Sequence, residues 1–204
     1  LEAMVKTMGD DDENVREAAA RTLEKIAKAN PSLAPEALEA MVKAMGGDDD
    51  ENVRKATVRA MIELAKATPS QASKVLKALL KAVQDTEWFV RRAAAHALGQ
   101  LAKATPSLAP KVLPALLKAA GDDDEDVRRT AAHALGEIAK ATPSLAPKAL
   151  EALLKAAGDS DEWVRRAAAH ALGELVQAAP SQATLEALVN ATEDSNWRVR
   201  HAGR

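Results

Sequence analysis

The chain of 204 residues has no cysteine and no tyrosine, and its only aromatic residues are one phenylalanine and three tryptophans. Lack of cysteine excludes disulfides, a thiolate nucleophile and cysteine-ligated zinc. With so few large rings and abundant alanine, any core is thin and built from small side chains, which favours helices lying close together. No apolar run approaches the roughly 18 residues of a membrane span, and the first residues lack the basic, apolar and small-residue order of a signal peptide. A membrane partner is therefore not expected, and a cytoplasmic location is favoured. Neither charge dominates: 28 Lys+Arg stand against 30 Asp+Glu, which disfavours a strongly basic nucleic-acid binder. The hydrophobic content of 47% argues against disorder over most of the chain.

What is present is repetition. VRRAAAHALGQLAKATPSLAP at Val90 returns as VRRTAAHALGEIAKATPSLAP at Val127 and as VRRAAAHALGEL at Val164, a period of 37 residues. Looser copies begin at Val15, Val53 and Val199, making six. Each unit reads as two helices. In the second, a 100° step puts Val90, Ala94, Ala97, Leu98 and Leu101 on one side and Arg92, His96 and Lys103 opposite. The first carries the stripe Val112, Leu113, Leu116, Leu117. Ser107 and Ser144 are expected N-caps, with Pro110 and Pro147 in the first turn, and Pro114 is expected to bend its helix. Gly121, like Gly9, Gly47 and Gly158, is expected to close the helix in the left-handed conformation. Period-2 alternation is missing and β-branched residues are sparse, so no sheet is expected.

An Asp stands five positions before the Val in all six copies (Asp10, Asp48, Asp85, Asp122, Asp159, Asp194). An Arg follows it in all six (Arg16, Arg54, Arg91, Arg128, Arg165, Arg200). This pairing, in two-helix units of this length, resembles HEAT repeats, a family of armadillo-like arrays, particularly the bacterial kind of phycobilisome-lyase-like arrays. The resemblance implies an all-α, open right-handed α-solenoid of stacked two-helix repeats, and a structural ladder of these Asp and Arg residues between neighbouring repeats. One domain over 1–204 is expected: a partial repeat at 1–29, repeats at 30–67, 68–104, 105–141 and 142–178, and a partial repeat at 179–204. The near-identity of the units also resembles an engineered or consensus-type array, and recent duplication in a natural gene looks the same. Leu1 to Met8 and Asn196 to Arg204 match only parts of a unit, as expected of a slice of a longer array or of chains that associate end to end.

Candidate sites follow the register. The resemblance implies that the second helix lines a concave surface, where Lys55, Arg59, Arg92, His96, Lys103, Arg129, His133, Lys140, Arg166 and His170 form a mostly cationic stripe. It suits an acidic peptide or protein surface, or phosphate groups; a solvated helix face is the plainer reading. Ile62 falls on the same face, where an apolar residue is a candidate partner contact. Gly99, Gly136 and Gly173 occupy its register in other copies, and close helix approach explains such a repeated cost better than a ligand does. Trp88, Phe89, Trp163 and Trp197 lie at the loop edge, as packing residues or as anchors of an edge-on interface. The inter-helix stretches hold 20 of the 30 acids, suited to capping the second helices. The three histidines, one repeat apart on helices spaced roughly 8–10 Å, are not expected to share a metal ion. Without nucleophile elbow, phosphate-binding loop or HExxH pair, no enzyme activity and no cofactor are expected. The reading is a non-catalytic protein-interaction module or scaffold; the alternatives are a structural or engineered scaffold without a native ligand, and phosphate-backbone binding.

Overall fold

The computed structural model describes residues 1–202 apart from 49, 179 and 181. Its regular elements are all helical. The α-helices are α1 (Glu2–Thr7), α2 (Glu13–Ala29), α3 (Ala34–Gly47), α4 (Glu51–Ala67), α5 (Ala72–Ala82), α6 (Trp88–Ala104), α7 (Ala109–Ala119), α8 (Glu125–Ala141), α9 (Ala146–Ala156), α10 (Glu162–Ala178), α11 (Gln182–Thr192) and α12 (Trp197–Ala202). No described helix is long and apolar enough to cross a membrane. By its internal contacts the chain divides into two compact units, Leu1–Ala97 and Leu98–Arg204, with the division falling inside α6.

Local chemistry sets where each even-numbered helix begins and ends. Asp12, Asp50 and Asp124 are N-caps in extended conformation, and their carboxylates accept the N–H of Asn14, of Asn52 and Val53, and of Asp126 and Val127. At the other end a proline disfavours the α conformation for the residue before it. Asn30, Thr105 and Thr142 accordingly adopt φ of −134°, −136° and −137°. A short 3-10 turn follows each, at Pro31–Leu33, Pro106–Leu108 and Pro143–Leu145, and leads straight into the next α-helix.

Two expectations about helix ends are corrected here. Because that 3-10 turn runs on without a break, the residues at the N-cap position are Leu108 and Leu145, with no side-chain cap bond, and not Ser107 and Ser144. Pro110 and Pro147 do fall in the first turn. Nor is any described glycine left-handed. Helix α7 instead closes by tightening, Ala120 donating to the Leu116 carbonyl and Gly121 to that of Lys118.

The core is narrow and aliphatic. Val53, Val90, Val127, Val164 and Val199, the first apolar residue of each of their helices to face inward, are at most 1% exposed. Leu98, Leu101, Leu135, Ile138 and Leu172 continue that face, and Val75, Leu79, Val112, Leu116 and Leu153 meet it from the odd-numbered helices. In the first unit α4 packs on α2 and α3; in the second α8 and α10 pack on each other and on α9. Alanines Ala131, Ala132, Ala168 and Ala169 are buried to 2% or less, so small side chains at the contacts let the helices lie close.

Candidate functional site

The loop edge is organised by the Asp and Arg residues. Arg128 donates from Nη1 to the carbonyls of Asp122 and Asp123 in its own repeat, and from Nε and Nη2 to both carboxylate oxygens of Asp159 at 2.8 and 3.0 Å. Arg165 repeats the arrangement on Asp159, Ser160 and Asp194, and Arg16 on Asp10, Asp11 and Asp48. Arg54 stands 3.7 Å from Asp85, and Arg91 donates to the Asp85 carbonyl. A planar fork with five donors suits this double duty. Arg165 holds Asp194 below its ordinary carboxylate value. For Asp48 and Asp159 burial pushes upward, but the hydrogen bonds from Arg16 and Arg128 leave both lowered. These groups are occupied in joining repeats.

The outward face of the even-numbered helices is less uniformly basic than its Arg, His and Lys residues suggest. Glu137 and Glu174, ten positions after Val127 and Val164, take Lys103 at 3.1 Å and Lys140 at 3.3 Å from the preceding repeat. Lys55 pairs with Glu51, and Arg92 lies 3.9 Å from the same carboxylate. In the first unit the cavity on this face, about 530 Å³, mixes Arg21, Lys25, Lys55 and Arg59 with Glu17, Glu24 and Glu63. His96 is exposed in that unit. The glutamates were readable in the repeat itself, one residue after Gly136 and Gly173, and change the stripe from cationic to alternating.

The second unit differs. Its cavity of about 510 Å³ is lined by Arg129, His133, Trp163, Arg166, His170, Arg198 and His201, with two alanines and no carboxylate. Two guanidiniums stand over the Trp163 ring, Arg166 at 5.6 Å and Arg198 at 5.3 Å, and Arg198 also stands 4.9 Å from the Trp197 ring. Such stacking contributes roughly 0.5–1 kcal/mol per exposed pair and holds the long side chains in place. Arg198 and His201 belong to the sixth copy, at positions flanking Val199, and were missed because that copy is short. His133 and His170 approach to 6.1 Å between ring centroids, nearer than the helix spacing implied, because the side chains lean together. Among the described residues no three His, Asp or Glu side chains gather closely enough to hold a metal ion.

The edge aromatics are wet: Trp88, Trp163 and Trp197 are 37%, 39% and 60% exposed, and Phe89 is half-buried under Arg54. Trp88 is covered on one face by Arg92 at 5.2 Å. Ile62 requires correction, since it is 5% exposed and offers nothing to a partner. Its register is the seam between consecutive second helices: a Cβ on Gly99 would stand 2.8 Å from the Ala134 Cβ, and one on Gly136 2.7 Å from that of Ala171. Those glycines are there for close approach.

Comparison with known proteins agrees with this geometry. A HEAT-repeat family model matches residues 113–204, and a model of GCN1-like C-terminal HEAT repeats matches 68–153. The chain is a HEAT/armadillo-like repeat protein. A third model, for the sister chromatid cohesion protein PDS5, matches 2–104 and overlaps the GCN1-like match, so the likeness resides in the repeat unit. A search of curated protein sequences finds no match. Among solved structures, engineered proteins and a designed armadillo repeat protein are similar in fold. An engineered protein superposes with a TM-score of 0.65 at 23% identity, over 99% of this chain and 92% of its own. A designed armadillo repeat protein in complex with the peptide (KR)4 gives 0.61 at 24%, over 100% and 96%. Escherichia coli YibA gives 0.68 at 22%, over 99% and 67%. These likenesses place the chain in the all-α solenoid class.

Proposed function

We propose that this HEAT-repeat chain is a protein-interaction module whose second-helix face takes an acidic peptide or an acidic protein surface. The observation that carries the reading is the cavity of the second unit, where three arginines and three histidines line the surface without a carboxylate among them. Guanidiniums held against indole rings lose little further side-chain entropy when they meet a carboxylate, which favours them as anchors. The surrounding Lys–Glu pairs are exposed and each worth only about 0–1 kcal/mol, so a partner carboxylate displaces them at small cost. The designed armadillo neighbour holds a basic peptide; an anion-lacking cavity of this kind calls for the opposite sign.

The test is titration of a labelled (ED)4 peptide by fluorescence polarisation, with (KR)4 as the control. We expect binding of the acidic peptide alone, abolished when Arg92, Arg129 and Arg166 are all replaced by Glu. Unchanged affinity in that variant refutes the reading. A structural scaffold without a ligand is the second reading, supported by the near-identity of the repeats and the engineered neighbours. It predicts no capture of either peptide and high thermal stability. Tighter binding of polyphosphate than of (ED)4, with steep weakening by salt, supports the phosphate-backbone alternative instead.

A further inference from the structure

We infer that the cavity of the second unit is a proton-coupled anchor, in which a carboxylate-rich segment seated on Arg166 is bound together with a proton taken up at His133, beside His170. This rests on the acidic-partner reading and adds the regulation of that site.

The two imidazoles project from neighbouring helices, α8 and α10, into one cavity, their centroids 6.1 Å apart and their planes at 64°. Every charged side chain lining it is a cation or a histidine. Arg129, on α8, is paired with Asp126 at 2.6 Å, and Arg198, on α12, with Glu162 at 3.7 Å. Arg166, on α10, lies against the Trp163 ring, and no carboxylate among the described residues is paired with it. His201 completes the set from α12. Further along α8 and α10, Glu137 and Glu174 are engaged by Lys103 and Lys140. The empty cavity is therefore a poor place for another positive charge. His133, although exposed to solvent at its floor, is held below the ordinary histidine value, first by lost hydration and then by His170 and Arg129, with Glu137 and Glu174 pulling weakly the other way.

An acidic segment reverses that balance. Its carboxylates supply the counter-charge that the lining lacks, so the proton affinity of the His133 imidazole is higher in the complex than in the free protein. A group whose pKa rises on binding takes up protons on binding, and the association constant then grows as pH falls from the bound toward the free value. Aspartate and glutamate side chains, with ordinary values near 4, stay ionised throughout that window, so the change belongs to the protein.

The experiment is isothermal titration of the intact chain with (ED)4 at pH 7.5 and 6.0, each in two buffers of different ionisation enthalpy. We expect roughly five- to tenfold tighter binding at pH 6.0, with net proton uptake, and loss of both in the His133→Gln/His170→Gln double variant. Both histidines are exposed, so the variant keeps its helicity. Should it not, the His133 ring resonances of the unaltered chain, titrated with and without peptide, report the same upward shift. Equal affinity at both pH values without proton uptake overturns the coupling and leaves the acidic-partner reading standing. Absence of binding at either pH overturns both. A pH dependence that survives in the double variant overturns the assignment to this pair.

Discussion

Replacing Gly136 with alanine sets two effects of known size against each other. In the middle of a helix, alanine in place of glycine gains roughly 0.5–1 kcal/mol through the entropy of the unfolded chain. At Gly136, however, the new Cβ would lie 2.7 Å from the Ala171 Cβ and 3.1 Å from its Cα. Neither atom sits at the end of a flexible side chain, so α8 and α10 must part, and overpacking of this kind costs about 1–3 kcal/mol. The clash wins, and G136A should be less stable by about 1–2 kcal/mol. Gly173 provides the control, because it occupies the same register of α10 and its added Cβ meets nothing within 4 Å. G173A should therefore gain about 0.5–1 kcal/mol. Urea denaturation followed by circular dichroism reads both: the midpoint falls in one variant and rises in the other. If G136A is stabilised as much as G173A, the close approach of the two helices is wrong.

The ladder makes a second prediction. Arg128→Met leaves the half-buried Asp159 without its guanidinium, and loss of a charge-assisted double hydrogen bond should lower stability by about 1.5–3 kcal/mol in the same assay. The lowered values of Asp48, Asp159 and Asp194 give the sign of the acid response. Their contribution is fully present above the unfolded carboxylate value of about 3.9 and is lost as pH falls through the folded values. Stability should thus hold from pH 7 to about 5 and drop below about 4, less steeply in Arg128→Met; a drop beginning near pH 6 would contradict this. Ile62→Ala should cost about 2–5 kcal/mol as a buried residue, and a cost under about 0.5 kcal/mol would return it to the surface.

The helices and their 37-residue repetition are legible in the residues alone, because each is written in a short-range pattern. A 3.6-residue period marks the buried face, Asp before the first turn marks the start, and proline after threonine marks the end. The loop Asp and the Arg six residues on were paired by the resemblance to HEAT repeats, and their carbonyl bonds stay within one repeat. What the tertiary structure alone decided lies between helices. Ile62 shares a helical angle with wet residues, yet the closeness of the next second helix makes that angle a buried seam. Lys103 and Lys140 of the basic stripe meet glutamates of the following repeat, and arginines from two copies stand over the Trp163 ring. Distances across such contacts are set jointly by every side chain at the crossing, and a difference of one methyl group at Gly136 changes them. Local periodicity assigns a residue to a face; only packing decides whether that face meets water, a partner or the next repeat.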